Sequence, residues 1–271
     1  MTTTTIQEDR PVLGYTLPRL FTEPKVSLLT RRTTLGYEVI EFGQRIGINV
    51  LPWQRWWLLH FLELNPDGTL RFKRALLLVS RQQGKSFLCS LLALWILSRG
   101  RTVLYSSTTI DTAKEQWEIT ADYAEDHPEY FGGEVKLRKP NGQYAIECPG
   151  LKCKYKIVSA GRRGGRGLSG VGLVLVDELR EHMDFDALNA VESTTLSVPD
   201  ALLVMLSNAG DVRSVVLNHW RAVAQSGEDP ELFYAEWSAA DGSEIDDVEA
   251  LRQAGSLRSG VTAGHGGDEV V

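Results

Sequence analysis

The middle of the chain alternates short apolar runs with longer segments of helical character, and this alternation constrains the fold more than any other feature. The apolar runs are nearly continuous, as expected of strands that are buried on both faces of a sheet. They are RALLLVS (74–80), TVLYSST (102–108), GLVLVDE (172–178), ALLVMLSNAG (201–210) and LFYAEW (232–237). Segments that have the caps and stops of helices separate most of these runs. The pattern predicts an α/β fold with a mostly parallel β-sheet flanked by helices.

The composition along the chain indicates three regions. Residues 1–45 are polar and initially rich in threonine, and they predict an N-terminal arm that wraps the domain or is partly disordered. Residues 46–237 contain the alternating pattern and a small β-rich insertion with the turn signals RKPNGQ and CPG. Residues 238–271 are acidic and rich in glycine and serine, and they predict a tail or linker. Within it, only EIDDVEALRQAG has the pattern of a short capped helix ending at Gly255.

The charged residues are distributed unevenly. The net charge is −6, but residues 228–271 contain eleven acidic residues and only two arginines. By contrast, residues 136–167 contain nine lysines or arginines and one acid, Glu147. Such a basic patch is typical of a surface that meets a polyanion, but charge alone favours a solvated hairpin face equally.

The cysteines and the hydropathy pattern indicate an intracellular protein. Cys89, Cys148 and Cys153 lack a metal-binding spacing and predict free or buried thiols, with a Cys148–Cys153 bridge as the alternative. The longest apolar run, residues 87–97, is too short to span a bilayer, and the N-terminus lacks the features of a secretory signal. We therefore expect a soluble protein that does not enter a membrane.

The segment LLLVSRQQGKSFL (76–88) contains most of a phosphate-binding loop. The P-loop pattern requires Gly, four residues and then Gly-Lys-Ser/Thr, and Val79 occupies the place of the first glycine. Gly84-Lys85-Ser86 nevertheless lies between a buried strand and the start of a helix, where backbone N–H groups and the helix dipole favour an anion. We expect Lys85 to reach the β- and γ-phosphates of ATP and Ser86 to bind Mg²⁺. The alternative is a tripeptide that occurs by chance.

An acidic pair supplies the second half of the expected site. Asp177 and Glu178 follow the run LVLV, at the edge where open parallel sheets bind ligands. We expect Asp177 to hold Mg²⁺ through water and Glu178 to orient and deprotonate the attacking water. The competing interpretation is a strand that runs into an acidic turn.

Ser207 and Asn208 end the strand that follows the acidic pair. A short polar side chain there can sense the γ-phosphate and pass its loss to the following helix, which would convert hydrolysis into movement. A simple turn at SNAGD is the alternative.

These motifs together resemble the N-terminal ATPase domain of the large terminase subunit of tailed bacteriophages, from about Leu51 to Trp237. SRQQGKS is similar to the family's deviant P-loop, in which the first glycine is commonly absent and an arginine lies inside the loop. GRGLSGVGLVLVDE is similar to the segment that leads into the family's acidic pair, and LLVMLSNAG is similar to its coupling motif. The resemblance implies a P-loop NTPase fold of the ASCE type.

The resemblance also includes the element LPWQRWWL, whose glutamine contacts adenine in the family. It implies that Gln54 makes a two-way amide contact with the adenine edge. Trp53, Trp56 and Trp57 could pack on the base, but tryptophans in an amphipathic helix are more often core residues, and we prefer that interpretation.

The resemblance implies roles for two arginines. Arg81 would touch the γ-phosphate, and Arg166 would act as an arginine finger in the site of a neighbouring subunit. Arg162 and Arg163 compete for the finger role, and a surface-exposed basic loop is the alternative. The complete set of expected nucleotide contacts is Gln54, Ser80, Arg81, Gln82, Gln83, Gly84, Lys85, Ser86, Asp177, Ser207 and Asn208.

The function implied by the resemblance is an ATP-hydrolysing motor that uses Mg-ATP to drive double-stranded viral DNA into a procapsid. Its expected partners are the DNA, the portal protein, a small terminase subunit and further copies of the chain in a ring, in the host cytoplasm and transiently on the portal. No nuclease activity is expected, since nothing after Trp237 has the pattern of the family's nuclease domain. Two alternatives stay open: another P-loop translocase or helicase acting on nucleic acid, and a truncated nucleotide-binding subunit without turnover.

Overall fold

The computed structural model describes residues 14–139, 144–160, 168, 170–244 and 246–255. The strands in these ranges are β1 Leu20–Phe21, β2 Arg74–Leu78, β3 Thr102–Ser107, β4 Lys136–Arg138, β5 Ala145–Cys148, β6 Cys153–Ser159, β7 Val171–Val176, β8 Leu202–Ser207 and β9 Leu232–Glu236. The α-helices are α1 Gly36–Arg45, α2 Pro52–Phe61, α3 Lys85–Ser98, α4 Ile110–Asp126, α5 Asp186–Glu192, α6 Val215–Ser226 and α7 Val248–Ala254. None of these helices combines the length and the apolar character that crossing a membrane requires.

All of these strands form one sheet in the order β1-β9-β2-β8-β7-β3-β6-β5-β4. The strands from β9 to β6 in this order run parallel to one another. The remaining strands pair antiparallel, β1 with β9 at one edge and β4 and β5 beyond β6 at the other. The predicted α/β fold with a mostly parallel sheet and a small β-rich insertion is therefore confirmed.

Helices cover both faces of the parallel strands. Helices α3 and α4 pack on one face together with α1 and α2, and they enclose the larger of two hydrophobic cores. Helix α3 is buried along Leu88 to Leu97, which explains why its sequence is apolar almost all round. Helices α5 and α6 pack on the opposite face over the smaller core. This topology brings the carboxyl ends of β2, β3, β7 and β8 to the same edge of the sheet.

Segments at both ends of the described chain pack against this body. Helix α1, which falls in the region for which an arm was predicted, buries its apolar side in the larger core. Helix α7 begins after Asp247, whose carboxylate accepts the N–H groups of Glu249 and Ala250, and it is followed by Gly255. The short capped helix expected near the C-terminus is therefore confirmed. The domain boundaries at residues 45 and 237 stay predictions.

The three cysteines are free and buried, as predicted. Cys148 and Cys153 lie directly opposite each other in the ladder between β5 and β6, and they are not bridged. Cys89 lies in the buried part of α3.

Candidate active site at the carboxyl edge of the sheet

The backbone of the loop between β2 and α3 explains why a valine can replace the first glycine of the pattern. The Val79 N–H donates to the Ser207 carbonyl at 3.2 Å, so Val79 extends the ladder between β2 and β8. Val79 is not among the residues with a positive φ, and its position makes no demand for glycine. The left-handed conformations of the loop lie at Gln82 (φ 59°) and at Gly84 (φ 85°), directly before α3.

Lys85 points its ammonium group back into the loop. Its Nζ donates to the carbonyl oxygens of Val79 and Ser80, each at 3.1 Å, and to the side-chain oxygen of Asn208. Burial lowers the pKa of Lys85, and the nearby carboxylates of Asp177 and Glu178 partly offset this shift. The lysine predicted to bind phosphate therefore lies between the loop, the end of β8 and the acidic pair.

The first turn of α2 is tied to the loop by two side chains. The indole N–H of Trp53 donates to the Gln83 carbonyl at 3.0 Å, and Nε2 of Gln54 donates to the Gly84 carbonyl at 2.9 Å. The Gln54 side chain is only 2% exposed and also accepts the Leu51 N–H at 2.9 Å. In this geometry both polar atoms of the Gln54 amide group bond to main-chain atoms. An adenine contact would require the amide group to leave at least one of these partners, and it stays a prediction.

The tryptophans of α2 are core residues, as preferred from the sequence. Trp53 and Trp57 are fully buried. Trp56 is half-buried and stacks on His60, with the ring centroids 3.9 Å apart.

The other predicted loop contacts include exposed side chains and residues that bond to neighbouring helices. Arg81 and Gln82 are exposed. The Ser80 hydroxyl donates to the Ala254 carbonyl at the end of α7, at 2.9 Å. The Ser86 carbonyl accepts Nε2 of Gln116 from α4 at 2.9 Å, so the start of α3 is anchored to the next helix.

Asp177 follows β7 directly, and its carboxylate is held at both oxygens. The Tyr105 hydroxyl, from the neighbouring strand β3, donates to Oδ2 at 2.7 Å. The Glu178 N–H donates to Oδ1 at 2.8 Å. Tyr105 is buried, which raises the pKa of its hydroxyl well above the usual range, so the group stays a protonated donor. The expected metal-binding carboxylate is therefore fixed in orientation by two donors.

Glu178 adopts a left-handed backbone conformation, with φ 53° and ψ 44°. This conformation is unfavourable for a residue with a Cβ atom, and such residues concentrate at functional sites. The side chain of Glu178 accepts Nε of Arg180 at 3.1 Å, and the Arg180 N–H donates to the Ser207 hydroxyl at 3.1 Å. The turn after β7 is thereby linked to the end of β8.

Ser207 and Asn208 connect the loop with the acidic pair. Ser207 accepts the Val79 N–H at its carbonyl and the Arg180 N–H at its hydroxyl. Asn208 accepts the Lys85 ammonium at Oδ1, while its Nδ2 is buried without a partner among the described residues. The γ-phosphate sensing expected of this pair stays a prediction.

The arginine finger expected from the sequence, Arg166 with Arg162 and Arg163 as its competitors, is not tested by the structure. Arg162, Arg163 and Arg166 all lie outside the described residues. The γ-phosphate contact of Arg81 also stays a prediction.

Two residues of the site were missed at the sequence level. Arg180 pairs with Glu178, and the sequence could have indicated this pair because Arg180 lies only two residues after Glu178. Tyr105 bonds Asp177, a residue 72 positions away, and a polar atom inside an apolar strand was the only hint. Neither contact follows from a sequence motif, because each depends on a turn or a strand neighbour.

The site combines one ammonium group, two carboxylates and a buried amide at one edge of the sheet. The Lys85 ammonium and the Asn208 amide N–H suit the charge of a phosphate. The oriented Asp177 carboxylate suits a hydrated divalent cation, and Glu178 suits a proton acceptor for water. Together with β8 between the loop strand β2 and the acidic strand β7, this arrangement agrees with the predicted P-loop NTPase fold of the ASCE type.

A solved structure of a phage protein has a similar fold. The chain is similar to the large terminase of HK97 bacteriophage, with a TM-score of 0.70 and 21% sequence identity over 84% of this chain and 50% of that chain. The predicted resemblance to phage large terminases is therefore confirmed at the level of the fold. This chain spans about half the length of the HK97 protein.

Two further terminases match with lower TM-scores. The large terminase of a thermophilic bacteriophage has a TM-score of 0.49 and 10% identity over 76% of this chain and 45% of that chain. The large terminase ATPase domain of Thermus phage P74-26 has a TM-score of 0.43 and 25% identity over 52% of this chain and 61% of that chain. No protein-family model and no curated protein matches the sequence.

Proposed function

We propose that the chain is the ATP-hydrolysing motor domain of a phage large terminase. The proposal rests above all on the convergence of Lys85, Asp177, Glu178 and Asn208 at one edge of the sheet. A lysine in the loop, a metal-binding aspartate and a base for water are the parts that phosphoryl transfer to water requires. The fold shared with the HK97 large terminase supports the choice of family.

The residues present fit a complex of ATP with Mg²⁺. Asn208 Nδ2 and the Ser107 hydroxyl at the end of β3 are buried and have no partner among the described residues. Such groups cost free energy unless a ligand or water satisfies them. Ser86 and Asp177 would hold Mg²⁺, the aspartate through water. When bound, the ion would neutralise phosphate charge as the bond to the leaving group breaks.

The chemical step would use groups that are paired in the structure. Lys85 would exchange the Asn208 oxygen for a phosphate oxygen and stabilise the charge of the transferred group. Glu178 would leave Arg180 and take a proton from the attacking water. Asn208, released from Lys85, would sense the phosphate and pass its loss to α6. Arg81 would contact the γ-phosphate, Gln54 the adenine, and Arg166 would reach a neighbouring subunit's site as a finger.

The proposed biological role rests on the resemblance to phage large terminases. We propose that the motor acts on double-stranded viral DNA, in a ring of identical chains docked on the portal of a procapsid in the host cytoplasm, with a small terminase subunit selecting the DNA. The helicase alternative has no specific support from the site. A nucleotide-binding subunit without turnover is the second candidate, favoured by the ion pair that occupies Glu178.

Phosphate release from ATP by the purified chain tests the proposal. A motor domain should release phosphate with Mg²⁺ and not with excess EDTA, and the rate per chain should rise with protein concentration if a neighbour supplies an arginine. Binding of ATP without phosphate release at any concentration would favour the second candidate. Failure to bind ATP would contradict both candidates, and separation of duplex strands would favour a helicase.

Tyr105→Phe is expected to raise the Mg²⁺ concentration needed for half-maximal hydrolysis by about tenfold, because groups that orient a metal ligand typically have effects of this size. Tyr155→Phe is the matched control: Tyr155 is a buried tyrosine on the adjacent strand β6, with its ring centroid 6.5 Å from that of Tyr105. A Mg²⁺ titration of the two variants and the wild type provides the measurement. Equal Mg²⁺ dependence in both variants would show that Tyr105 does not position Asp177.

A further inference from the structure

The antiparallel extension, in which β5 and β4 continue the sheet beyond β6, carries part of the basic patch seen in the sequence: four of its nine cations lie on β4 and β6. The register pairs Lys136 with Glu147 and Glu147 with Lys154, so these side chains share one face of the sheet. Arg138, Ala145 and Lys156 are paired in the same way and lie on that face too. The face therefore presents four cations, Lys136, Arg138, Lys154 and Lys156, which we call the basic sheet face.

The opposite face of the extension belongs to the core. Leu137, Ile146 and Tyr155 alternate with the cations and pack in the larger hydrophobic core, which α4 covers. On the side of the basic sheet face, α5 packs against β7, and α6 packs against β2 and β9, away from the extension. Within the described part of the chain, no helix is found packed over the basic sheet face.

The charges on this face are only partly neutralised. Arg138 pairs with Glu147 at 3.0 Å, and Lys136 pairs with Glu134 at 3.1 Å, but both cations keep more than half of their side chains exposed (58% and 51%). No ion pair joins Lys154 or Lys156 to an acidic residue among the described residues, although Lys154 lies opposite Glu147 in the ladder. Exposed ion pairs contribute little stability, so an external anion can replace them at small cost.

The chemistry of the face favours a duplex backbone over a single strand. Side chains two positions apart on a strand are about 6.6–6.8 Å apart, and β4 lies about 9.5 Å from β6, so the cations form a two-dimensional array. The strand residues described on this face are the four cations, Glu147, Ala145 and Val158, and none of these described residues is aromatic. Single-stranded nucleic acid is normally bound by stacking on aromatic rings, whereas a duplex is held through its phosphates.

We propose that the basic sheet face binds the phosphate backbone of double-stranded DNA without reading its sequence. The choice of a duplex rests on the proposed packaging function. The choice of surface rests on the register of the four cations, of which Lys136 and Arg138 are exposed and Lys154 and Lys156 are partly exposed. The face lies on the antiparallel extension, whereas the nucleotide site lies at the carboxyl ends of β2, β7 and β8. DNA and nucleotide would therefore bind at separate places on the same sheet.

A quadruple variant tests the inference: Lys136→Gln, Arg138→Gln, Lys154→Gln and Lys156→Gln. Its matched control removes four exposed cations elsewhere: Lys25→Gln, Arg32→Gln, Arg45→Gln and Arg55→Gln. Binding of a fluorescent 30-base-pair duplex is measured by anisotropy from about 50 to 200 mM salt. Circular dichroism and basal ATP hydrolysis verify that both variants are folded. If the quadruple variant does not fold, the double variant Lys154→Gln/Lys156→Gln replaces it.

The face variant is expected to bind the duplex roughly 10- to 1,000-fold more weakly than the wild type at ~0.1 M salt, and its slope of log K against log salt should fall by about 3 to 4. The control should keep most of the wild-type slope. Equal losses in both variants, or no loss in the face variant, would overturn the inference. The face variant could instead lose self-association in sedimentation while it still binds DNA. That result would show that the face contacts an acidic surface of another copy of the chain, and it would also overturn the inference.

The outcomes separate this inference from the proposed function. ATP hydrolysis and duplex binding by the wild type, with unchanged binding by the face variant, would reject the face alone. A wild type that hydrolyses no ATP but binds duplex through these cations would reject the motor and retain the face. A wild type that does not bind duplex would overturn the inference about the face.

Discussion

Glu178→Gln should lower the rate of Mg-ATP hydrolysis at least about 100-fold while ATP affinity changes by no more than about threefold. Glutamine keeps the size of the side chain and can still accept the hydrogen bond from Arg180, but it cannot take a proton from water. The left-handed backbone at Glu178 is retained, since the substitution does not alter the Cβ atom. Steady-state phosphate release and equilibrium binding of a fluorescent ATP analogue are the two measurements.

Glu181→Gln is the control for this prediction. Glu181 lies three residues later and also pairs with Arg180, at 3.0 Å, but its side chain is half exposed. Its substitution should leave the hydrolysis rate within about twofold of the wild type, because an exposed ion pair contributes little. If the two variants hydrolysed ATP equally fast, Glu178 would not be the base, and the acidic turn would be the better interpretation.

Lys85→Met should weaken ATP binding roughly 10- to 100-fold, as the loss of a charge-assisted hydrogen bond costs about 1.5–3 kcal/mol. It should also lower kcat by about 100- to 1,000-fold, which is typical when one group that stabilises the transition state is removed. Methionine fills a similar volume but leaves the carbonyls of Val79 and Ser80 without their donor. Titration calorimetry with ATP and single-turnover hydrolysis measure the two effects.

Lys114→Met is the matched control, since it removes a partly exposed lysine of α4 that pairs with Glu118, four residues later. It should change neither ATP binding nor hydrolysis. A Lys85 variant that binds ATP as tightly as this control would contradict the role of Lys85 in the phosphate loop.

The pH dependence of ATP binding provides a further test of the role of Lys85. Burial lowers its pKa, so the ammonium form that attracts phosphate is lost at a lower pH than the ordinary lysine value of about 10.4. Affinity for ATP should therefore fall as the pH rises towards that value, and the Lys85→Met variant should lack this fall. Bound phosphate would raise the lysine pKa and shift the fall to higher pH.

Much of the fold and part of the site could be predicted from the sequence. Apolar runs such as GLVLVDE and their helical neighbours predicted the parallel sheet, and Gly84-Lys85-Ser86 was predicted correctly between a strand and a helix. The packing of α1 into the core was not predicted, because its apolar period covers only ten residues within a polar, threonine-rich region. The partners of the Gln54 amide were also not predicted, because the carbonyl it bonds lies thirty residues away.

The sequence by itself determined the class of fold, the loop between β2 and α3, the place of Asp177 and Glu178 after β7, and the capped helix α7, because periodicity, turn residues and caps act between neighbours in the chain. Only the tertiary structure decided that β8 lies between β2 and β7, which brings Asn208 to Lys85, and that β3 lies beside β7, which brings Tyr105 to Asp177. It also decided that four cations of β4 and β6 share one face. Strand order and register depend on pairing between residues distant in the chain, and no local pattern encodes which strands become neighbours.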